Sequence, residues 1–416
     1  MRADVAPPLP AEMKAAEETE APELTTTTTP VLGEVIGRSP TYKRVCYFTN
    51  WAQYRPDEGK FTPDNIDPSL CTHIIYAFAI VKDKTMKPFE WNDDKTEYSE
   101  GMYQKVIALK KINPELHVML AVGGWNAGMN ETTLMLSTRQ TRADFIRTTI
   151  VFLRERHFDG LDLDFEYPGS RGSPPEDKVR FSELIQGFAT EFKREALATN
   201  RPRLLLSAAV GAGPKTIERG YEVARISRYL DFINLMAYDL HGAWENTTGH
   251  NAPLYARNDA VGYDKQLSLD YAARFWVEHG APKRKLVIGM PLYARGFTLR
   301  KANQYALGAP ITGASPPYKY TREPGFIASY EICQMLSSGK AIRVWDFEQK
   351  VPYLKYNDEW FGYDDIQSLT YKVLWMMDGG YGGWMVWTID MDDFSGKFCK
   401  RGTFPLLHAL NSMLPV

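Results

Sequence analysis

Short apolar runs recur along the chain, each bounded by polar or turn-forming residues, at 44–49, 73–80, 117–122, 160–165, 204–209, 232–236, 286–290 and 383–388. Their length and β-branched, aromatic content predict strands. Between several of them, at 102–112, 141–156, 178–196 and 269–278, apolar positions recur every three or four residues, the signature of helices with one buried face. Eight buried strands alternating with helices predict an α/β fold, a (β/α)8 TIM barrel; a doubly wound open sheet would leave the same alternation. The stretch between the seventh and eighth runs is too long for one helix. It carries strand-like pieces at 293–299, 341–346 and 351–356 and a helical pattern at 325–337. It reads as a small α+β insertion, 293–363, raising one wall of a cleft, with the barrel itself over 41–292 and 364–410. No internal repeat is visible. Residues 1–40, with APELTTTTTPVLGEV, have little to bury and predict a disordered Thr/Pro-rich linker, as in a piece of a longer multidomain protein. MRADVAPPLP does not have the form of a signal peptide.

Composition narrows the function classes. Of 416 residues, 44% are hydrophobic and 24% charged, enough for a sizeable core, and the net charge of −2 with no Lys/Arg run argues against a nucleic-acid partner. No apolar run approaches the roughly 18 residues a membrane span needs. The 10 Trp, 23 Tyr and 20 Phe suit either a large core or an aromatic-lined groove, because flat apolar rings stack on sugar rings. Cys46, Cys71, Cys333 and Cys399 form no CxxC pair, which argues against zinc; two disulfides or four free thiols remain open, and spacing leaves three connectivities. The seven His show no ligand spacing, and no metal site is expected. Two sequons, at Asn130 and Asn246, suit a secreted glycoprotein.

The chemistry concentrates in FDGLDLDFEY at 158–167. Residues two apart on a strand share a face, so Asp162, Asp164 and Glu166 line up together while Leu161, Leu163 and Phe165 point toward the helices. Asp159 has the opposite parity. Three acids in a row repel when ionised, so protons are shared and at least one pKa rises. Glu166, last in the row, falls at the C-terminal end of its strand, the active face of a barrel. Such a row suits hard-cation binding, or a general acid held protonated for glycoside cleavage. In the second case all three acids approach the sugar from one side, so the nucleophile comes from elsewhere. A 2-acetamido sugar supplies one in its own carbonyl oxygen.

FDGLDLDFEYPG resembles the DxxDxDxE signature of family 18 glycoside hydrolases, the chitinases. YFTNWAQYR at 47–55, AVGGWNAG at 121–128, MAYDLHGAW at 236–244 and GGWMVWTIDMDD at 382–393 match the family in the same order, over about residues 42–405. The overall look is that of an animal, arthropod-type chitinase. The Thr-rich lead-in and Phe165, where most relatives have Trp, resemble insect group III catalytic domains. By parity, Phe165 faces away from the cleft, so this departure bears on packing rather than chemistry.

The resemblance implies roles position by position. Glu166 matches the catalytic acid, Asp164 the residue that turns toward the acetamide, and Asp162 its inner partner; Asp159 matches a structural position. Tyr238 matches the hydroxyl that steadies the acetamide oxygen, Asp239 a second polar contact, and Met236 lies under the same sugar. Trp387 matches the floor on which the distorted sugar stacks. Tyr47, Phe78, Trp125 and Tyr293 fall where the family lines the pocket, Arg295 matches a hydrogen-bonding arginine of the insertion, and Trp51 and Trp244 suit more distant sugar-stacking sites. For each aromatic, and most of all for Tyr47 and Phe78 on strands, simple core packing is the competing account. The resemblance also implies the pairs Cys46–Cys71 and Cys333–Cys399. It leads to an extracellular, monomeric, endo-acting chitinase that takes chitin and chitooligosaccharides and needs no cofactor. The competing functions are a chitin-binding lectin without turnover, a hydrolase releasing N-glycans between core N-acetylglucosamines, and a metal-dependent hydrolase built on the acidic row.

Overall fold

The computed structural model describes residues 42–415; the expected linker over 1–40 lies outside them. Eight parallel strands form the centre: Lys43–Thr49, His73–Lys82, His117–Gly123, Gly160–Asp164, Leu205–Gly211, Phe232–Met236, Leu286–Pro291 and Gly383–Trp387. Each pairs with the next, and the first pairs with both the second (Val45 opposite His73) and the last (Val45 opposite Met385), so the sheet closes on itself. This is the (β/α)8 barrel, and closure excludes the open sheet that the alternation alone left standing. The second strand runs on past the barrel and turns back into an antiparallel piece, Thr85–Pro88.

Helices cover the outside. Arg139–Glu155 starts where Thr138 accepts a hydrogen bond from the Thr141 amide, and Ile366–Asp378 where Asp365 accepts one from the Ser368 amide, each satisfying a donor that the first helical turn leaves free. Asp177–Thr199 ends at Asn200, which adopts the left-handed conformation that asparagine tolerates. Phe145 and Phe188 bring two of these helices together edge to face, 5.9 Å between centroids. Buried Trp276 on Leu269–Glu278 donates its indole N–H to the Gly211 carbonyl, 3.0 Å, fixing that helix to the end of the fifth strand. Short helices that the sequence pattern did not predict, such as Pro214–Gly220 and Val223–Tyr229, complete the wall.

The segment after the seventh strand builds a second, antiparallel sheet in the order Ile311–Ala314, Tyr293–Leu299, Glu359–Gly362, Val351–Tyr356, Ile342–Asp346, with Phe326–Ala328 added to the Tyr293–Leu299 strand. Its helix is Ser329–Ser337; the earlier part of the predicted helical pattern, 325–337, is strand instead. Ala294, Ile327, Ile332, Leu354 and Phe361 pack on one face and Phe297, Ile311, Tyr353 and Trp360 on the other. Ser329 donates to the Leu292 carbonyl at 2.7 Å, and His250 reaches the Pro352 and Tyr363 carbonyls at 3.0 and 2.8 Å. The disulfides Cys46–Cys71 and Cys333–Cys399 are both present; the second ties this sheet's helix to the chain following the last strand.

Candidate active site

The fourth strand delivers the acids to the top of the barrel. Strand pairing ends at Asp164, and Glu166 stands two residues beyond it, at the cleft. Phe165 packs on Phe181 of the outer helix, 5.8 Å between centroids, which holds the alternation so that Asp162 and Asp164 face inward. Asp159 accepts from Lys110 Nζ at 2.5 Å and the Val118 amide at 2.8 Å, outside the row.

The three acids meet three different environments. Asp162 is fully buried and fully engaged: Oδ2 accepts from the Tyr47 hydroxyl at 2.6 Å, and Oδ1 from Ser207 Oγ at 2.6 Å and Asn234 Nδ2 at 3.2 Å. Burial nevertheless raises its pKa to about 6, although Ser207, Tyr47 and Asn234 all pull it down. Asp164 is buried, and its Oδ1 has no hydrogen-bond partner. Burial, then the charges of Glu166 and Asp162, push its pKa well above the usual carboxylate value. Glu166 is half-buried and its pKa is raised to about 7: burial dominates, Tyr167 and Arg171 lower it, and Asp239 raises it. The row therefore shares protons, with its two inner members buried and its outermost at the cleft.

Around this row the sixth strand and the loop after it bring Met236, Tyr238 and Asp239. The Tyr238 hydroxyl donates only to the Met385 sulfur, at 3.7 Å, a weak acceptor that a better one would displace. Asp239 Oδ1 accepts from Tyr293 at 2.7 Å and from Arg295 Nε at 2.7 Å, and its backbone N–H donates to Asn251. Asp239 is thus held by the second sheet, whose first strand carries both partners. Arg295 in turn lies within 5.4–5.7 Å of the Trp244, Phe326 and Tyr293 rings.

The aromatics divide into two groups. Trp387 at the end of the eighth strand packs against Tyr47 (5.3 Å), Phe78 (5.8 Å) and Trp51 (6.3 Å), and Trp51 stacks on Phe78 at 5.9 Å. Phe78 reaches this cluster because Gly124, with φ +86°, leaves its place empty: a Cβ there would fall 2.5 Å from the Phe78 ring. Trp125 and Trp244, by contrast, stand 56% and 61% exposed. The structure thus brings the expected acids, Tyr238, Asp239, Tyr293, Arg295 and the Trp387 cluster around one cleft, with Trp125 and Trp244 on loops that follow the third and sixth strands. Both sequon residues, Asn130 and Asn246, are exposed.

Ser207, Asn234 and Arg171 belong to the site and were not read from the sequence. Ser207 and Asn234 sit on strands five and six with inward parity. A polar residue inside an apolar strand run was the available signal. Among the described residues, no group of three or more His, Cys, Asp or Glu is arranged to hold a metal ion. A separate hollow of about 390 Å³, lined by Tyr255, Asp270, Trp375 and Tyr381 among others, lies between outer helices and shares no residue with the cleft.

An acidic row of this form at the open end of a closed parallel barrel, faced by a second antiparallel sheet, defines a glycoside-hydrolase architecture. The model for glycosyl hydrolases family 18 matches residues 43–392, and the chain belongs to that family. It is 45% identical to chitotriosidase-1 of Mus musculus over 372 residues, covering 89% of this chain and 78% of that protein. The crystal structure of an immunomodulatory active chitinase from Trichuris suis superposes with a TM-score of 0.86 at 44% identity, covering 90% of this chain and all of that one. Human YKL-39, described as a pseudo-chitinase with retained chitooligosaccharide binding, superposes with a TM-score of 0.84 at 39% identity, covering 89% of this chain and 99% of that one.

Proposed function

We propose that the protein is an endo-acting chitinase that hydrolyses β-1,4 linkages between N-acetylglucosamine units, with retention, by substrate-assisted catalysis. The observation that carries this reading is the graded row: Asp162 satisfied, Asp164 buried with an unpartnered oxygen, and Glu166 at the cleft with a pKa near 7. A carboxyl that keeps its proton near neutrality is a competent general acid. The acid best placed to act as a separate nucleophile, Asp239, is engaged by Tyr293 and Arg295.

The steps follow. Glu166 gives its proton to the glycosidic oxygen as the C1–O bond breaks. The acetamide carbonyl oxygen of the same sugar bonds to C1, forming an oxazolinium ring. Asp164, its proton passed inward toward Asp162, accepts the acetamide N–H and stabilises the positive ring. Tyr238 donates its hydroxyl to the acetamide oxygen. Water then attacks C1, yields a proton to the Glu166 carboxylate and reopens the ring; two inversions give net retention. Trp387 supplies the floor under the reacting sugar, with Met236 beside it. Trp51 and Phe78 on one side, and Trp125 and Trp244 on the other, bind flanking sugars whose stacking energy distorts the central one, while buried Tyr47 packs against Trp387 and holds Asp162 instead of meeting a sugar.

A chitin-binding lectin is the second reading, favoured by the pseudo-chitinase among the solved structures of this fold. The intact Glu166 and Asp164 support turnover instead. The setting we assign is extracellular. Two disulfides suit an oxidising compartment, and exposed Asn130 and Asn246 suit glycosylation. The catalytic unit is a monomer within a longer multidomain protein, its barrel over 41–292 and 364–410 and its insertion over 293–363. Hydrolysis of soluble N-acetylglucosamine hexamer by wild type and Glu166→Gln, with binding titrated in parallel, tests the reading. Turnover should fall by roughly 10³-fold in the variant while hexamer binding persists. Wild type that binds hexamer without cleaving it would make the protein a lectin.

A further inference from the structure

Arg171 lies in the loop after the acidic strand. The loop is braced: Ser173 Oγ accepts from the Gly169 amide at 3.0 Å and donates to buried Asp177 at 2.8 Å, and Ser170 and Ser173 close successive backbone turns. At its tip Arg171 holds φ +52°, a left-handed conformation that a non-glycine residue adopts only where its surroundings demand it. Among the described residues no carboxylate lies within ion-pair distance of its guanidinium. Its donors go to two carbonyls instead. Nη1 donates to the Glu166 carbonyl at 2.9 Å, and Nη1 and Nη2 both donate to the Trp125 carbonyl at 3.2 Å. The guanidinium carbon also stacks 3.4 Å from the Trp125 ring centroid. One cation thereby grips the backbone of the acid-bearing residue and both the backbone and the ring of an exposed tryptophan. No other ring supports Trp125 among the described residues, so Arg171 backs one face while the other stays open to a sugar.

We infer that Arg171 is a positioning residue that sets the acid and the leaving-group-side sugar platform in register, Glu166 through its backbone and Trp125 through its ring. The inference rests on the chitinase reading for its substrate. It makes Arg171 matter most when the leaving group is a sugar that rests on Trp125 and needs full protonation by Glu166, and matter little for an activated aryl leaving group that needs neither. Only a planar fork serves both carbonyls and the ring, so lysine is no substitute.

The test compares hexamer with an aryl N,N′-diacetylchitobioside, whose leaving group is not a sugar. In Arg171→Ala, kcat/KM for hexamer should fall roughly ten-fold, mostly in KM, and for the aryl substrate less than about two-fold. Arg171→Lys should retain most of the hexamer defect. Trp125→Ala should resemble Arg171→Ala, and the double variant should be no worse than either single. Asp164, Asp239, Tyr167, Tyr221 and Tyr238 are also near enough to influence or be influenced by the charge of Glu166. Among these groups and Arg171, only the arginine brings positive charge. Arg171→Gln should therefore move the alkaline limb of the rate profile upward, and Arg171→Lys should leave it in place. Equal losses on both substrates, or additive Arg171 and Trp125 effects, would overturn the inference. If wild type cleaves neither substrate, the chitinase reading fails on its own. Hexamer titration of Glu166→Gln with and without Arg171→Ala then decides: weaker binding in the double variant upholds the clamp, and equal binding sinks it.

Discussion

The two aromatic ends of the cleft are held by different forces. At one end Tyr47, Trp51, Phe78 and Trp387 pack ring against ring and continue into the barrel core. At the other, Trp125 and Trp244 are each exposed, and each lies beside an arginine, Arg171 and Arg295. Ring packing resists rearrangement because moving one ring opens a void among the rest. A cation over an exposed ring is worth about 0.5–1 kcal/mol, so that arrangement adjusts at little cost. On the proposed mechanism the first end grips the sugar being distorted and the second releases the departing chain. The difference between them matches the difference between those tasks.

The largest contrast should come from truncating a ring at each end. Trp387→Ala should cost about 3–5 kcal/mol of stability and nearly all activity, because it removes a sugar floor and a piece of core together. Trp244→Ala should leave the melting temperature within about 1 °C of wild type and raise KM for hexamer a few-fold. Matching stability losses from the two variants would erase the distinction. Gly242→Ala sharpens it, because a Cβ there would meet the Trp244 ring at 2.1 Å. The ring should swing aside and the variant should copy the KM defect of Trp244→Ala, a result read by kinetics on the hexamer.

A smaller effect concerns the row between the two ends. Asp164 has a folded-state pKa above its unfolded value, so the folded chain binds that proton more tightly and loses stability as pH rises between the two values. Asp164→Asn removes the ionisation. It should abolish activity yet raise the melting temperature at pH 8 by a few degrees, on the order of 1 kcal/mol, with little change at pH 4. Thermal melts at the two pH values check this. A gain present at pH 4 and absent at pH 8 would reverse the assignment of the proton.

What could be read in advance follows from how local each signal is. Strand parity alone placed Asp162, Asp164 and Glu166 on one face, because the period of two acts within five residues. The eight strands were legible because each is buried on both sides and so reads as an unbroken apolar run. Closure of the barrel was not, since the pairing of the first strand with the last spans the whole chain. The partners of Asp162 were hidden for the same reason: Ser207 and Asn234 are 45 and 72 residues away, and a polar residue inside an apolar strand run does not tell which group it will meet. In the second sheet, Ile311–Ala314, Phe326–Ala328 and Glu359–Gly362 went unread because three or four residues are too few to show a period. Arg171 gave no signal at all, since a lone arginine in a polar loop reads as a solvated charge.

The central claim is that the substrate's own acetamide, not a protein carboxylate, attacks the anomeric carbon after Glu166 protonates the leaving oxygen. The most direct measurement is a time-resolved NMR record of the anomers first released from N-acetylglucosamine hexamer. The account predicts β-anomer first, relaxing slowly to the equilibrium mixture, and no release at all from Glu166→Gln. Initial α-anomer would mean that water attacks directly from the opposite face and would contradict it.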